Sequence, residues 1–577
     1  MSIQAINQYH NDVAKNKAFT GKNHEQTNKD FFKRLINHYA EKQHLWIASE
    51  ISIQNKQGRL IRPDGIVKNI LTLNCGYWES KANVDLEKEI ILKINAGYPL
   101  INTLFQDNEI AILYQNDTLV LKTELENERE LDKLLTQFVS YESKEIKEFN
   151  AAIEQFKQDL PHILNALRDM ILKQEKSNKA FKNARADFLT ICQHSINPEI
   201  TLSDVNEMLL QHILTEEIFI SIFSDAQFFQ DNNIAKELYK VESTFFSGTT
   251  KRNTLAAIQH YYSVIKARSV HIAHHKDKQL FLKSIYENFY KAYNPKAADR
   301  LGIVYTPHEI VKFQIESVEH LLEKHFNKTL SDEGIKILDP CTGTGTYICD
   351  LIDHLPKHRL AYKYKHDIFA NELGLLSYYI ANLNIEYTYQ QKMGEYVEFE
   401  HICWVDTLDN TGFGLKDTNT DLFGLTVENT ERIKKQNSQK ISVIIGNPPY
   451  NANQQNENDN NKNRDYKEID RRIKESYIDK STAQKTKVYD MYARFLRWAS
   501  DRLQGNGIIS FIINRSFVDS RTFDGFRKCL AEEFDFIYMI DTQSDVRKNP
   551  KISGTKHNVF GIQTGVAVLF LVKKKGE

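Results

Sequence analysis

The chain has 577 residues, 41% hydrophobic and 26% charged, with 75 Lys and Arg against 76 Asp and Glu. That length exceeds what one hydrophobic core supports and predicts about three domains. The near-zero net charge excludes a generally basic nucleic-acid coat but leaves room for local basic grooves. Six scattered cysteines (75, 192, 341, 349, 403 and 529) form no CxxC pair. This speaks against a zinc finger or a disulfide framework and fits a reducing cytoplasm. The start lacks the apolar core of a signal peptide, and the longest apolar run, near 566–572, is too short to span a membrane.

Residues 1–145 read as a mixed α/β domain. "DFFKRLINHYAEK" predicts a helix over 30–42 with Phe31, Phe32, Leu35, Ile36 and Tyr39 on one face. The runs "ILTLNCGYWES", "EIAILYQ" and "DTLVLK" predict strands. Pro63-Asp64 is followed, after fourteen intervening residues, by Glu79-Ser80-Lys81. In a hairpin, Asp64 ends one strand while Glu79 and Lys81 share a face of the next. Two such carboxylates make an oxygen site for Mg2+, and a neighbouring lysine can orient or activate water. The bland alternative is a solvated acidic-basic hairpin. The pattern resembles the PD-(D/E)xK nuclease core. That resemblance implies catalytic roles for Asp64, Glu79 and Lys81, with Asp64 and Glu79 as metal ligands. It also matches Glu25, ahead of the 30–42 helix, to the metal-binding helical acid of that core.

From about residue 127 the texture changes to long amphipathic patterns such as "FNAAIEQFKQDLPHILNALRDMIL", with few glycines. Residues 146–295 are expected to form an all-helical connector. His271, His274 and His275 have helical spacing, but beside "KDK" they read as a solvated face rather than a metal site.

Over 296–577, β runs alternate with helices: "IKILD", "HDIFANE", "HICWVD", "ISVIIGN", "GIISFIIN", "FIYMID" and "GVAVLFLVK". That alternation predicts a doubly wound, mostly parallel sheet. "IKILDPCTGTGTYICDLIDHL" carries a glycine turn at Gly343 and Gly345 between strand and helix, where such sheets bind ligands. No Lys-Ser/Thr follows, so it is not a phosphate P-loop. Glu372 falls at the end of the second strand, where a carboxylate holds ribose hydroxyls, and Asp406 at the end of the third, where it can accept from an adenine amine. Either acid alone ordinarily caps a helix or sits in a solvated turn. With Asn447 at the end of the fourth strand, four successive strand ends carry candidate ligand groups.

"ILDPCTGTGT" followed by "IIGNPPY" resembles the S-adenosylmethionine-dependent amino-group methyltransferases, particularly the adenine-N6 DNA methyltransferases. "YTPHEIVKFQIESV" (305–318), placed ahead of the glycine turn, resembles the gamma arrangement. The resemblance implies that Thr306, Asp339, Gly343, Gly345, Glu372 and Asp406 contact the cofactor. Asn447, Pro448, Pro449 and Tyr450 would form the acceptor turn. An exocyclic purine amine is a poor nucleophile; the Asn447 side-chain oxygen and the Pro448 carbonyl can hold its two hydrogens, and the prolines fix that geometry. Tyr450 offers a stacking face for an extruded base. No covalent nucleophile is needed, so Cys341 reads as a packing residue. The polar segment 451–472 is a candidate lid over DNA. Similar turns occur in enzymes that methylate protein glutamine or ribosomal-RNA guanine, so this turn alone does not select the substrate.

The expected fold class is therefore multidomain α/β: a small PD-(D/E)xK-like domain, an all-helical connector and a doubly wound, Rossmann-like methyltransferase domain. This order resembles type IIG restriction-modification enzymes, and the nuclease and methylase parts of type ISP enzymes. The chain has no Walker-type GxxxxGK[ST] motif, which sets an ATP-driven version aside. In the family a target-recognition domain follows the methyltransferase, whereas this sequence stops soon after the last expected strand. The implied function is adenine-N6 methylation and Mg2+-dependent cleavage of double-stranded DNA in a bacterial or archaeal cytoplasm. The alternatives are an RNA or protein N-methyltransferase whose N-terminal domain only binds, and a non-catalytic DNA-binding subunit.

Overall fold

The computed structural model describes all residues except 1, 21–24, 44, 50–52, 55–58, 70–72, 82–84, 197, 224–231, 271–278, 280, 283–284, 286–288, 290–292, 294–305, 413–427, 450–464, 484–487, 504, 546–564 and 575–577. Two compact units emerge: residues 1–161 with 221–223 and 257–289, and residues 162–220 with 224–256 and 290–577. His271, His274 and His275 lie outside the described residues. The described regular structure between 146 and 295 is helical.

The first unit is built on a six-stranded mixed sheet. Its strands are β1 (Trp46–Ala48), β4 (Gly65–Lys68), β5 (Asn74–Ser80), β6 (Asn102–Gln106), β7 (Ile110–Gln115) and β8 (Thr118–Glu124), in that spatial order. A separate short pair joins β2 (Ile53–Gln54) to β3 (Leu60–Ile61). Only β5 and β6 are parallel, which requires a crossover, and the helix Leu86–Asn95 supplies it. Asp85 caps that helix by accepting from Lys88 N. The helix Glu25–Glu41 buries Phe32, Leu35, Ile36 and Tyr39, four of the five residues expected on that face, while Phe31 is half-buried. Phe32 stacks on Trp78 of β5 at 6.1 Å.

In the second unit the sheet runs β11 (Ile402–Trp404), β10 (Ile368–Glu372), β9 (Ile337–Asp339), β12 (Val443–Gly446), β13 (Gly507–Asn514), β15 (Val566–Lys573), β14 (Phe536–Asp541). β11 through β13 are parallel, and β15 inserts antiparallel to both its neighbours. Each of the seven expected apolar runs supplies one strand. β9, β12, β13 and β15 are buried along nearly their whole length, as parallel and central strands between helical layers must be. Strand order reverses between β9 and β12, so the ligand crevice of a doubly wound sheet falls at their carboxyl ends.

Candidate active sites

At the end of β9 the chain turns through Pro340 and Cys341 into the glycine turn. Gly343 and Gly345 both have left-handed backbones, with φ of 58° and 92°, which cost glycine little and most other residues much. A Cβ at Gly343 would meet open space, whereas at Gly345 it would lie 3.2 Å from Ala381 Cα. Gly343 thus faces the crevice, and Gly345 lets the turn seat against the helix Leu375–Met393. The turn is bonded into the neighbouring strand ends. Thr342 N donates to Asn371 O at 2.9 Å, and Thr407 Oγ1 to Pro340 O at 2.6 Å.

Glu372 closes the turn from β10. Its two carboxylate oxygens accept from Gly343 N and Gly374 N, each at 2.7 Å. Burial pushes its carboxyl up to about 7, against those two donors. Asp339 is fully buried; burial, helped by nearby Glu372, raises it to about 8. Its Oδ2 has no hydrogen-bond partner among the described residues. Burial and the two carboxylates drive the Cys341 thiol far above its usual range. It is therefore a neutral packing group and not a thiolate nucleophile. Asp406, buried beyond β11, accepts from Leu408 N and Tyr466 Oη, both at 3.1 Å.

The acceptor turn leaves β12 directly beside this crevice. Pro448 is buried, with Asn447 and Pro449 half-buried. Asn447 Nδ2 donates to Thr306 Oγ1 at 2.9 Å, while its Oδ1 is buried and has no partner among the described residues. An unpaired buried amide oxygen is costly in isolation and is what a site built to receive an amine hydrogen would contain. Tyr450 and the following amide-rich segment lie outside the described residues. Thr306, Asp339, Gly343, Gly345, Glu372, Asp406 and Asn447 all belong to the second unit, at or just beyond the carboxyl ends of β9 to β12 or, for Thr306, directly ahead of the helix His308–Phe326. Sequence reasoning missed Tyr466, Thr407 and Asn371, which support the acids and the turn. Nothing in their local sequence marks them; the topology brings them there.

Arg471 and Arg472, at the end of the polar segment 451–472, are paired with Glu468, Glu475 and Asp501.

In the first unit, Asp64 stands immediately ahead of β4 rather than ending a strand, which departs from the expected hairpin. β4 and β5 are antiparallel with Gly65 opposite Trp78, and this brings Asp64 alongside the end of β5. Asp64 Oδ2 accepts from Ser80 N at 2.8 Å, and Lys29 of the Glu25–Glu41 helix binds Oδ1. Glu79 is only 3% exposed. It is held by Lys93, by Tyr98 Oη at 2.9 Å and by Lys81 Nζ at 3.4 Å. Burial and Glu79 together raise the Tyr98 hydroxyl above its usual range, so it stays a donor. Glu25 opens the helix that carries Lys29 one turn later. The structure thus brings Asp64, Glu79 and Lys81 together. Among the described residues no group of three or more His, Cys, Asp and Glu forms a metal cage. Two oxygen-donor carboxylates still suit Mg2+, which is held through one or two carboxylates and water. Lysine ammonium groups now neutralise both carboxylates.

The second unit is a Rossmann-like methyltransferase domain by sheet order, glycine turn and acceptor turn. Residues 152–277 match the family described as the coupler domain of type ISP restriction-modification enzymes, and 360–546 match the Eco57I restriction-modification methylase family. The chain belongs to the restriction-modification enzymes. A solved DrdV–DNA complex is 47% identical over 99% of this chain and 56% of that one, with a TM-score of 0.74. The ATP-dependent type ISP restriction-modification enzyme LlaBIII bound to DNA is 32% identical over 84% of this chain and 32% of that one, at 0.66. A nuclease-deletion mutant of the type ISP enzyme LlaGI with a DNA substrate mimic is 27% identical, covering 86% and 45%, also at 0.66. The chain therefore spans about half the DrdV chain and a third of LlaBIII. No curated protein matches it. Among the described residues no helix is long and apolar enough to cross a membrane.

Proposed function

We propose that the second unit methylates adenine N6 in DNA with S-adenosylmethionine as donor, and that the first unit is a Mg2+-dependent endonuclease. The functional division follows 1–145, 146–295 and 296–577, with the helical part as coupler. The carrying observation is Asn447: a buried amide oxygen without a partner among the described residues, at the end of β12 beside the glycine turn.

The crevice suits the cofactor. Gly343 leaves open space, Asp339 offers a buried oxygen with no partner among the described residues, and Glu372 and Asp406 stand at adjacent strand ends. Glu372 would take the ribose hydroxyls and Asp406 the adenine amine. When bound, S-adenosylmethionine supplies an electrophilic methyl group. The chain's own part is to hold the acceptor. Asn447 Oδ1 and the Pro448 carbonyl accept the two N6 hydrogens and turn the nitrogen lone pair toward the donor, and Pro448 and Pro449 restrict the backbone so that these dipoles are preorganised. Tyr450 stacks on the extruded base. In the nuclease unit Asp64 and Glu79 would ligate Mg2+, joined by Glu25, and Lys81 would orient the attacking water. DNA complexes of DrdV and LlaBIII support DNA as the substrate of both units.

The test is incubation of the protein with plasmid DNA, Mg2+ and S-adenosylmethionine, reading strand cuts and N6-methyladenine. Wild type gives both, and Asn447→Ala loses methylation alone. Methylation that survives Asn447→Ala overturns the acceptor assignment.

A further inference from the structure

We propose that Thr306 is a positioning residue for the acceptor turn, its hydroxyl holding the plane in which the Asn447 amide meets the incoming amine. The proposal rests on the methyl-transfer reading above and replaces the cofactor contact that family resemblance implies for this residue.

A carboxamide turns about a broad, two-fold terminal torsion. A threonine hydroxyl can accept from Nδ2 or donate to Oδ1, so it fixes the plane of the Asn447 amide, while the incoming amine, itself a donor, selects the oxygen end. The Thr306 hydroxyl holds the amide at 2.9 Å through Nδ2, and Oδ1 is buried with no partner among the described residues. Thr306 is itself 9% exposed and leads into a helix that is anchored from several sides. Pro307 follows it, and the Pro307 carbonyl starts the helix His308–Phe326 by accepting from Ile310 N and Val311 N. Two turns on, fully buried Gln314 donates to Ser510 Oγ of β13 at 2.8 Å and accepts from Tyr347 Oη at 2.8 Å. His308 Nδ1 pairs with buried Asp350 at 2.8 Å. Tyr347 and Asp350 both ride on the helix Thr346–His354 that follows the glycine turn. Thr306 is thus held in register with the strand beside the acceptor turn and with the helix behind the cofactor turn. A hydroxyl so placed can fix the angle between amide plane and methyl donor.

The test compares Thr306→Val, which keeps shape and removes the hydroxyl, with Thr306→Ser, which keeps the hydroxyl. Transfer of tritiated methyl from S-adenosylmethionine to phage genomic DNA gives kcat, and calorimetry gives the S-adenosylmethionine Kd. Thr306→Val is expected to lower kcat about tenfold, the scale of one lost hydrogen bond, with Kd within about twofold of wild type; Thr306→Ser restores most of the rate. A Thr306→Val that weakens Kd at unchanged kcat makes Thr306 a cofactor contact and overturns the proposal. An unchanged kcat and Kd, or a Thr306→Ser as slow as Thr306→Val, overturns it as well. If Thr306→Val does not fold, Thr306→Ala carries the same comparison. Wild-type protein that methylates no DNA overturns the functional reading itself, a result distinct from a failure confined to Thr306.

Discussion

Gly446 and Asp339 meet across the switch point with no room for a side chain between them: a Cβ on Gly446 would lie 2.9 Å from Asp339 Oδ1 and 3.3 Å from Cys341 Sγ. The glycine that ends β12 is therefore what lets the acceptor turn and the cofactor turn share one crevice. Gly446→Ala should displace the buried Asp339 carboxylate. The expected result is a stability loss of about 1–3 kcal/mol, as for overpacked cores, and S-adenosylmethionine binding weakened about tenfold or more. Thermal melting and calorimetric titration of the purified variant measure the two effects.

The carboxyls of the crevice carry a pH signature. Asp339 rises from an ordinary 3.8 to about 8, and Glu372 from 4.5 to about 7, both chiefly by burial. Groups whose folded pKa is raised contribute stability that is complete below the unfolded value and lost as pH climbs through the folded one. Cofactor-free protein should therefore lose stability between roughly pH 4 and pH 8 on account of these two. Binding has the opposite slope, because Glu372 accepts ribose hydroxyls best when ionised. The S-adenosylmethionine Kd should fall between about pH 6 and pH 8, and Glu372→Gln should flatten that fall while weakening binding throughout. A Kd independent of pH in wild type would remove Glu372 from the ribose site.

The second unit was largely legible because its strands are apolar runs, four of them ended by glycine, aspartate or asparagine, and the strand ends of a doubly wound sheet are where ligands sit. The insertion of β15 between β13 and β14 was not legible, since strand order leaves no local trace. In the first unit, β6 escaped notice because "NTLFQ" reads as polar at both ends. In the fold Asn102 is buried and donates to Cys75 O at 2.7 Å and Phe138 O at 2.9 Å, and Gln115 Nε2 donates to Asn102 Oδ1 at 3.0 Å. Polar residues can line a sheet interior once their hydrogen bonds are satisfied there, and periodicity cannot see this. The PD…ExK pattern predicted which residues would gather but gave no sign of Lys29, Lys93 and Tyr98, which arrive from other elements.

Those added groups make the nuclease prediction specific. Asp64→Asn and Glu79→Gln keep side-chain size while removing the charge a divalent ion needs. Both should abolish plasmid cleavage and leave the yield of N6-methyladenine unchanged, as should Lys81→Met. Cleavage persisting in these three variants would show that the cutting centre lies elsewhere or does not exist.

Within the second unit, the coupler helices grip the helix on which the cofactor turn rests. Tyr378 Oη donates to Asn233 Oδ1 at 2.7 Å, and Tyr379 Oη sits 3.3 Å from His212 Nδ1, all buried. The helix Leu375–Met393 that carries both tyrosines is buried over most of its length, and Ala381 of the same helix backs Gly345. Tyr378→Phe removes one hydroxyl and leaves Asn233 Oδ1 without its donor in a dry interface. Such a loss costs about 1–3 kcal/mol. Thermal melting should register it as a lower Tm, with the change in S-adenosylmethionine affinity smaller than for Gly446→Ala because the phenyl ring still fills the same space. A Tm equal to wild type would mean that water replaces the hydroxyl and that this bond does not tie the coupler helices to the methylase.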